Sequence, residues 1–394
     1  MHRFRNVFVT SAFSALLLAA CSSDDDNKVS GPSKAEVVKN YAALVHENYE
    51  VALGEMKTLK TAVDAFVAAP SQATLDAAKA AWTKARQPYL TTEAFRFYGG
   101  PIDNEDTGPE GRINGWPLDE NYIDYVDGNA EAGIINAKAN GAFVVAAITK
   151  DVIKEKNEQG GEKNLSAGWH AIEFLLWGQD KSTTGPGNRP YTDYVVGAGG
   201  TAANQDRRGA YLKAVTELMV DDFTDVEKQW DVGTAGSYGA AFVAGSADEK
   251  IGDMLKGIGS LAGSELPKER MNNAYETRDQ EEEHSCFSDT TDQDLVLNGV
   301  GIENVYLGQY GTLKGASISD LVKARDAALD EKTRADIAKA VQALKDIPKP
   351  FDQAIVDDKN GGRSKVKAAI NAWQPVTDDV IAVAAALGVK INLE

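Results

Sequence analysis

Apolar residues recur every three or four positions over long stretches of this sequence, which is the spacing of one face of an α-helix. In the clearest stretch, residues 34–69, the apolar face comprises Val37, Tyr41, Leu44, Val45, Met56, Leu59, Val63, Phe66 and Val67. Pro70 and Ser71 end this pattern, and a second one covers residues 75–98. Amphipathic helices are stable when their apolar faces pack together, so the sequence predicts an all-α fold.

Helical patterns continue to the end of the chain. They cover residues 211–230, 247–265, 267–284, 293–310, 319–346 and 363–387. Segment 99–127 is the exception, because it is rich in Gly, Pro, Asp and Asn and also carries Trp116, Tyr122 and Tyr125. A loop this long inside a helical protein is usually functional or disordered, and its aromatic residues favour an ordered loop.

The first 21 residues have the pattern of a bacterial lipoprotein signal. Arg3 and Arg5 precede an apolar stretch, and Leu18-Ala19-Ala20 leads to Cys21. The apolar stretch is too short for a membrane span of about 20 residues, so we expect cleavage before Cys21 and acylation of that residue. Residues 22–33 are then a flexible tether, and outer-membrane lipid is the expected partner of the acylated Cys21. The expected location is the outer membrane, facing the periplasm or the cell surface.

About 370 residues remain after cleavage, which exceeds the ~250–300 at which one core stops growing. The sequence predicts two domains, 34–235 and 245–394, separated by the glycine-rich stretch 233–245. An echo at a spacing of 130 residues pairs Ile172-Glu173 with Ile302-Glu303 and Gly178-Gln179 with Gly308-Gln309. It predicts a duplication in which Val300 replaces His170.

Charge and cysteine content narrow the possible functions. The 59 acidic residues outnumber the 41 basic ones, which argues against binding to nucleic acid or anionic lipid. Once Cys21 is acylated, Cys286 is the remaining thiol, so no disulfide can form within the chain. Stability must therefore come from the core.

His170 lies three residues before Glu173 in an apolar helical pattern, so both side chains fall on one helix face. An imidazole and a carboxylate placed in this way can bind one metal ion, but a mononuclear site needs further donors. Glu93 is the first candidate for a third ligand, and Glu282, Glu283, His284 and Asp289 form a second acidic group. The alternative for His170 is a core histidine that is hydrogen-bonded to a neighbour.

Arg96, Arg112 and Arg278 have two interpretations. They can pair with buried carboxylates, or they can receive an anionic ligand. The sequence contains no His-Glu-x-x-His zinc motif, no glycine-rich phosphate loop and no recognisable Ser/His/Asp signature.

Several segments together resemble the imelysin family, also called imelysin-like peptidases, and within it the iron-regulated protein A group of lipoproteins. They are residues 82–97, 108–125 around Gly-Arg-Ile-Asn-Gly-Trp-Pro-Leu-Asp, 168–178 with the Gly-x-His-x-x-Glu motif, and 283–289 (Glu-His-Ser-Cys-Phe-Ser-Asp). The resemblance implies two four-helix-bundle-like domains, with a site near their interface. It also implies a cell-envelope lipoprotein linked to iron uptake, and related iron-uptake proteins use a His-x-x-Glu pair for metal.

The leading hypothesis is therefore a protein that binds iron, or a small iron-bearing ligand, between two helical bundles and passes it to a membrane uptake partner. His170, Glu173 and Glu93 are the predicted metal ligands. The residues predicted to contact the ligand are Arg96, Arg112, Trp116, Glu283, His284 and Asp289. The alternative is a metallopeptidase in which the His-x-x-Glu pair holds zinc and Glu283 is the general base. A third possibility is an interaction scaffold whose polar motifs only join the bundles.

Overall fold

The computed structural model describes residues 31–137 and 145–393, and nearly all of its regular structure is helical. The helices of the N-terminal half are α1 (Lys34–Ala68), α2 (Gln72–Thr91), α3 (Glu110–Ile113), α4 (Gly133–Asn136), α5 (Lys150–Lys156), α6 (Gly168–Trp177), α7 (Gln205–Trp230) and α8 (Tyr238–Ala244). Those of the C-terminal half are α9 (Ala247–Ser260), α10 (Asn273–Thr277), α11 (Thr291–Leu307), α12 (Ile318–Lys323), α13 (Ala327–Lys345), α14 (Phe351–Val356) and α15 (Gly362–Leu387). The all-α prediction is confirmed.

Shorter elements join these helices. Strands β1 (Gln309–Tyr310) and β2 (Leu313–Lys314) form an antiparallel hairpin. The 3-10 helices are Thr92–Phe95, Glu120–Tyr122, Tyr191–Tyr194, Gln280–Glu282 and Lys359–Gly361, and a π-helical segment, Leu261–Asn272, continues α9.

The long helices form two groups, one in each half of the chain. In the first, α1 packs against α2 and α7, and α6 packs against α2 and α7. In the second, α15 packs against α13, α9 and the π-helical segment, and α11 packs against α13. The groups meet where α2 contacts α11 and α1 contacts α9. The candidate site lies at this junction, because α2, α6 and α11 all contribute to it.

Sequence signals at the helix ends explain where α1 and α2 begin. The Ser33 hydroxyl accepts a hydrogen bond from the Glu36 backbone N–H, and the Glu36 carboxylate accepts one from the Ser33 backbone N–H, which forms a capping box. Ser71 caps α2 in the same way with Thr74. The apolar face predicted for residues 34–69 is buried from Val37 to Phe66.

Two helices end earlier in the structure than their sequence patterns predict. α2 stops at Thr91, where the chain continues as the 3-10 helix Thr92–Phe95, so Glu93 lies on that 3-10 helix. The helix predicted over 267–284 ends at Thr277, where Arg278 adopts the left-handed conformation with φ 59°. Most of segment 279–290 is consequently turns rather than helix.

The predicted domain boundary, residues 233–245, packs against the first group of helices. Helix α8 lies inside stretch 233–245, and its Phe242 packs against Tyr41 and Trp230. From Gly31 onward the chain forms one compact unit. The division into domains 34–235 and 245–394 therefore stays a prediction, as does the duplication, although Gly178 and Gly308 both end helices with positive φ.

Some sequence predictions concern residues that the structure does not describe. Cys21, the rest of the predicted signal 1–21 and all but the last three residues of the tether 22–33 lie outside the described residues. Within residues 31–137 and 145–393, no helix combines the length and the apolar character that a membrane span requires.

Candidate metal and ligand site

Helix α6 begins at Gly168, which has φ 89° and lies against the backbone of the long loop. A Cβ at this position would come 2.5 Å from the carbonyl oxygen of Ile113 and 2.8 Å from that of Arg112. Only glycine combines this conformation with so close an approach. The motif's glycine therefore fixes where α6 starts and how His170 and Glu173 face the rest of the site.

His170 and Glu173 contact each other directly, as their shared helix face predicts. Nδ1 of His170 lies 2.9 Å from Oε2 of Glu173, and both side chains are buried. The other carboxylate oxygen of Glu173 accepts hydrogen bonds from the backbone N–H of Ser288 at 2.9 Å and from its hydroxyl at 2.6 Å. Nε2 of His170 is buried and has no hydrogen-bond partner.

Burial decides the charge of this pair. Burial, assisted by the positive charge of Arg86, lowers the pKa of His170 well below its ordinary value. Burial raises the pKa of Glu173 to about 8, although Arg86 and Ser288 oppose the rise. At neutral pH the imidazole is therefore neutral, and Glu173 is mostly protonated.

A second histidine lies beside the first. The rings of His170 and His284 have centroids 5.0 Å apart at an interplanar angle of 64°. Nδ1 of His284 lies 2.7 Å from Oδ2 of Asp294, and its Nε2 has Asn114 Nδ2 at 3.4 Å. Burial is the main reason why the pKa of His284 falls to about 3. Each imidazole thus has a carboxyl group at Nδ1.

Arg86 holds Asp294 in place. Its Nη2 donates to Oδ2 of Asp294 at 2.8 Å, and its guanidinium lies over the rings of Trp82 and Trp169, 5.4 and 5.7 Å from their centroids. Burial alone would raise the pKa of Asp294, but Arg86 and the hydrogen bond with His284 hold it below its ordinary range. Asp294 is therefore a carboxylate that accepts a hydrogen bond from the Nδ1–H of His284.

Glu93, the predicted third metal ligand, is an ion-pair partner of two arginines. Its Oε2 accepts from Arg270 at 2.6 Å and from Arg96 at 2.7 Å. Burial would raise the pKa of Glu93, but the two arginines lower it well below its ordinary value. Arg96 therefore pairs with a buried carboxylate, which is the first of the two interpretations that the sequence allowed. A metal role for Glu93 stays a prediction that this geometry does not favour.

Arg112 and Trp116, the predicted loop residues, occupy different places. Arg112 donates two hydrogen bonds to Asp222 of α7, at 2.8 and 2.7 Å, which again is the ion-pair alternative. Trp116 donates from Nε1 to the carbonyl of Glu283 at 2.7 Å. Its ring lies edge to face with His284, with centroids 5.7 Å apart. Trp116 is half-buried, so it covers His284 at the surface of the site.

Segment 283–289 contributes to the histidine pair. His284 and Ser288 contact His170 and Glu173, whereas the charged groups that act most strongly on Glu283 and Asp289 are other carboxyl groups, Asp352 first. Burial first, and then the negative charges of Asp352, Asp289 and Asp180, raise the pKa of Glu283 well above its ordinary value, while the Thr291 hydroxyl offsets part of the rise. A ligand-binding role for Glu283 and Asp289 stays a prediction.

The sequence did not predict three residues of the site as functional candidates, namely Arg86, Asp294 and Ser288. Arg86 and Asp294 are 208 residues apart, and no motif connects them. Arg86 and Ser288 lie in two of the segments that resemble the imelysin family. Their position there is the sequence signal that could have identified them. Among the described residues, no three His, Cys, Asp or Glu side chains form a group that could hold a metal ion.

Comparison with known proteins identifies the family of this chain. The sequence profile of the imelysin family, Peptidase_M75, matches residues 45–378. The chain belongs to the imelysin family. Iron-regulated protein A of Synechococcus elongatus is 25% identical to it over 324 residues, which are 81% of this chain and 77% of the relative.

Two solved structures of imelysin relatives share the fold. A protein from Parabacteroides distasonis, described as an iron-regulated protein A precursor, superposes with a TM-score of 0.70 and 22% identity, over 91% of this chain and 96% of that chain. An imelysin-like protein from Psychrobacter arcticus superposes with a TM-score of 0.64 and 14% identity, over 92% and 99% of the two chains.

Proposed function

We propose that this imelysin protein binds iron at the paired imidazoles of His170 and His284. The observation that carries the proposal is the buried Nε2 of His170, which has no hydrogen-bond partner while Nδ1 is occupied by Glu173. A histidine that ligates a metal commonly donates its other ring N–H to a carboxylate, which fixes the tautomer. His284, whose ring centroid lies 5.0 Å from that of His170, also has a carboxylate, Asp294, at its Nδ1. Its Nε2 has Asn114 at 3.4 Å and Arg86 at 3.5 Å, so iron must displace these contacts to bind there.

Two imidazoles leave most of a metal's coordination positions for other donors. Since no three described side chains form a group that could hold a metal, we propose that the other donors are water or a small ligand that arrives with the iron. The name of the Synechococcus relative, iron-regulated protein A, supports iron as the first metal to test. Imidazole also suits zinc, which is therefore the comparison metal.

The metallopeptidase alternative is less well supported. It needs a general base beside the metal, and the candidate was Glu283. The Glu283 side chain interacts with Asp352, Asp289 and Asp180 instead.

Metal titration of the purified protein tests the proposal. We expect Fe²⁺, added anaerobically, to bind the unsubstituted chain, and we expect His170→Ala and His284→Ala each to abolish binding. The matched control is His46→Ala, because His46 also pairs with a carboxylate, Glu227 at 2.8 Å, but lies at a half-buried place on α1. Equal iron affinity in the unsubstituted and His170→Ala proteins would refute the ligand assignment.

The cellular location is part of the same proposal. We propose that acylated Cys21 attaches the protein to the outer membrane, where it passes iron to a membrane uptake partner. Fractionation of cells tests the attachment: the protein should sediment with outer membranes, and Cys21→Ala should release it. Sedimentation of Cys21→Ala with the membranes would contradict lipid attachment through this residue.

A further inference from the structure

The paired imidazoles are closed off from solvent. His170 is 2% exposed and His284 is 1% exposed, and Nε2 of His170 is itself buried. A ligand can reach or leave a buried site only when part of its surroundings moves aside. Iron entry at the site proposed above therefore requires a covering group to move, and the contacts of the two rings indicate which group that is.

Trp116 differs from the other side chains around the two rings. Within the described residues, the side chains that share a hydrogen bond, an ion pair or a ring contact with either imidazole are Arg86, Asn114, Trp116, Glu173 and Asp294. All of these except Trp116 are at most 4% exposed. Trp116 is half-buried, so it is the member of this set that borders solvent.

Two weak interactions hold the Trp116 indole over His284. Its Nε1 donates to the carbonyl of Glu283 at 2.7 Å, and its ring lies edge to face with that of His284, with centroids 5.7 Å apart. Each is a neutral contact of modest strength. Rotation of the indole breaks both, and water can then hydrate the released N–H and carbonyl. Uncovering His284 on its other side instead requires Arg86 to separate from Asp294, and these form a fully buried ion pair.

The backbone beneath Trp116 is fixed. A Cβ at Gly115 would lie 2.5 Å from the carbonyl oxygen of Gly111, so the chain packs tightly immediately before Trp116. Asn114, one residue earlier, is buried and accepts a hydrogen bond from Arg86 at 3.2 Å. The group that moves with least disruption is therefore the Trp116 side chain rather than the whole loop.

We propose that Trp116 is a gate that controls access to the histidine pair. Rotation of its indole away from Glu283 uncovers His284 and, behind it, His170, and rotation back shields both rings. Passage of iron through this gate rests on the proposed function, because that function supplies the ligand. Shielding of the imidazoles by Trp116 does not depend on iron, so the two proposals can be tested separately.

Labelling with diethyl pyrocarbonate, a reagent that acylates accessible neutral imidazoles, tests the gate without any metal. Mass spectrometry of the digested protein gives a labelling rate for each histidine. In the unsubstituted protein, His284 and His170 should react much more slowly than His46, whose side chain is 28% exposed. Trp116→Ala should speed the labelling of His284 about 10-fold, the combined effect expected of one hydrogen bond and one ring contact. The rate at His46 should not change, which shows that the chain remains folded.

Two further variants serve as controls. Trp116→Phe keeps an aromatic ring but loses the hydrogen bond, so it should speed the labelling of His284 less than Trp116→Ala does. Tyr238→Ala also removes a half-buried ring, but one that contacts Trp230 and Phe242, and it should leave His284 unchanged. The gate is overturned if His284 reacts as fast as His46 in the unsubstituted protein, if Trp116→Ala does not alter its rate, or if Tyr238→Ala raises it equally.

Stopped-flow mixing with Fe²⁺ in the absence of oxygen then tests the passage of iron. Trp116→Ala should raise both the association and the dissociation rate constants about 10-fold, because the same two contacts must break in each direction. A rise in the dissociation rate constant alone would overturn the gate, since Trp116 would then be a contact of the bound ligand. If no protein binds iron but the labelling changes as expected, the iron proposal fails and the gate is supported.

Discussion

The role of Glu173 shows what a single residue's surroundings add to its sequence motif. The spacing of His170 and Glu173 correctly places both side chains on one face of α6, but spacing cannot say which atoms face each other. In the structure Oε2 of Glu173 is engaged with Nδ1 of His170. Glu173 is thus placed to orient the imidazole, and its role as a second metal ligand stays a prediction.

Iron affinity should rise with pH up to about 8. A metal at Nε2 of His170 requires the ring proton on Nδ1, and Glu173 accepts that proton's hydrogen bond only when it is ionised. Because the pKa of Glu173 is raised to about 8, binding below that pH must release a proton and is weakened. Titrations from pH 6 to 8.5 measure this slope.

Glu173→Gln is the matched variant for this prediction. It should bind iron about 10–100-fold more weakly, which is typical for loss of a group that orients a ligand. Its affinity should also depend less on pH, because glutamine does not titrate. An unchanged slope in Glu173→Gln would show that another group controls the proton release.

At the scale of helices, regular amphipathic patterns predict helix positions accurately. Helix ends that depend on local conformation are not predicted by these patterns. Helix α1 ends within one residue of its predicted limit, because one apolar face continues over its whole length. α2 gives way to a 3-10 helix at Thr92, and α10 ends at the left-handed residue Arg278. Such local changes of conformation leave little trace in periodicity. The pairing of Arg86 with Asp294 joins α2 to α11 and depends on the tertiary fold.

The start of α6 should be sensitive to its glycine. Gly168→Ala places a Cβ 2.5 Å from the Ile113 carbonyl oxygen at φ 89°, and we expect it to lower the free energy of unfolding by about 2–4 kcal/mol. Gly54→Ala is the matched control, since a Cβ there meets nothing within 4 Å. It should raise stability by about 0.5–1 kcal/mol, because Gly54 lies inside α1. Denaturant unfolding compares the two, and equal effects would contradict this account of α6.

At the scale of the whole molecule, the buried carboxyl groups make stability depend on pH. Burial and like charges raise the pKa of Glu283 well above 4.5, and burial first, then Asp352 and Asp180, raises that of Asp289 to about 7. These carboxyl groups therefore bind more protons in the folded state than in the unfolded state. The buried, neutral His170 and His284 act in the opposite direction below about pH 6.5, where the unfolded chain protonates them. Stability must therefore fall as pH rises from about 6.5 to 8.

Thermal melting in chelator measures this dependence. We expect the melting temperature to be about 2–5 °C lower at pH 8 than at pH 6.5. Below about pH 4 stability should fall again, because Asp294 and Glu93 have lowered pKa values and must be protonated. Glu283→Gln should reduce the slope between pH 6.5 and 8, whereas Glu105→Gln should not. A melting temperature that rises over this interval would contradict the assignment.

The most direct test of the central claim is X-ray absorption spectroscopy at the iron edge of the iron-loaded protein. It counts the imidazole ligands on the metal without depending on affinity. The account predicts two imidazoles in the unsubstituted protein and, in any iron retained by His284→Ala, one. A spectrum without imidazole, or the same imidazole count in both proteins, would contradict the claim that His170 and His284 bind iron together.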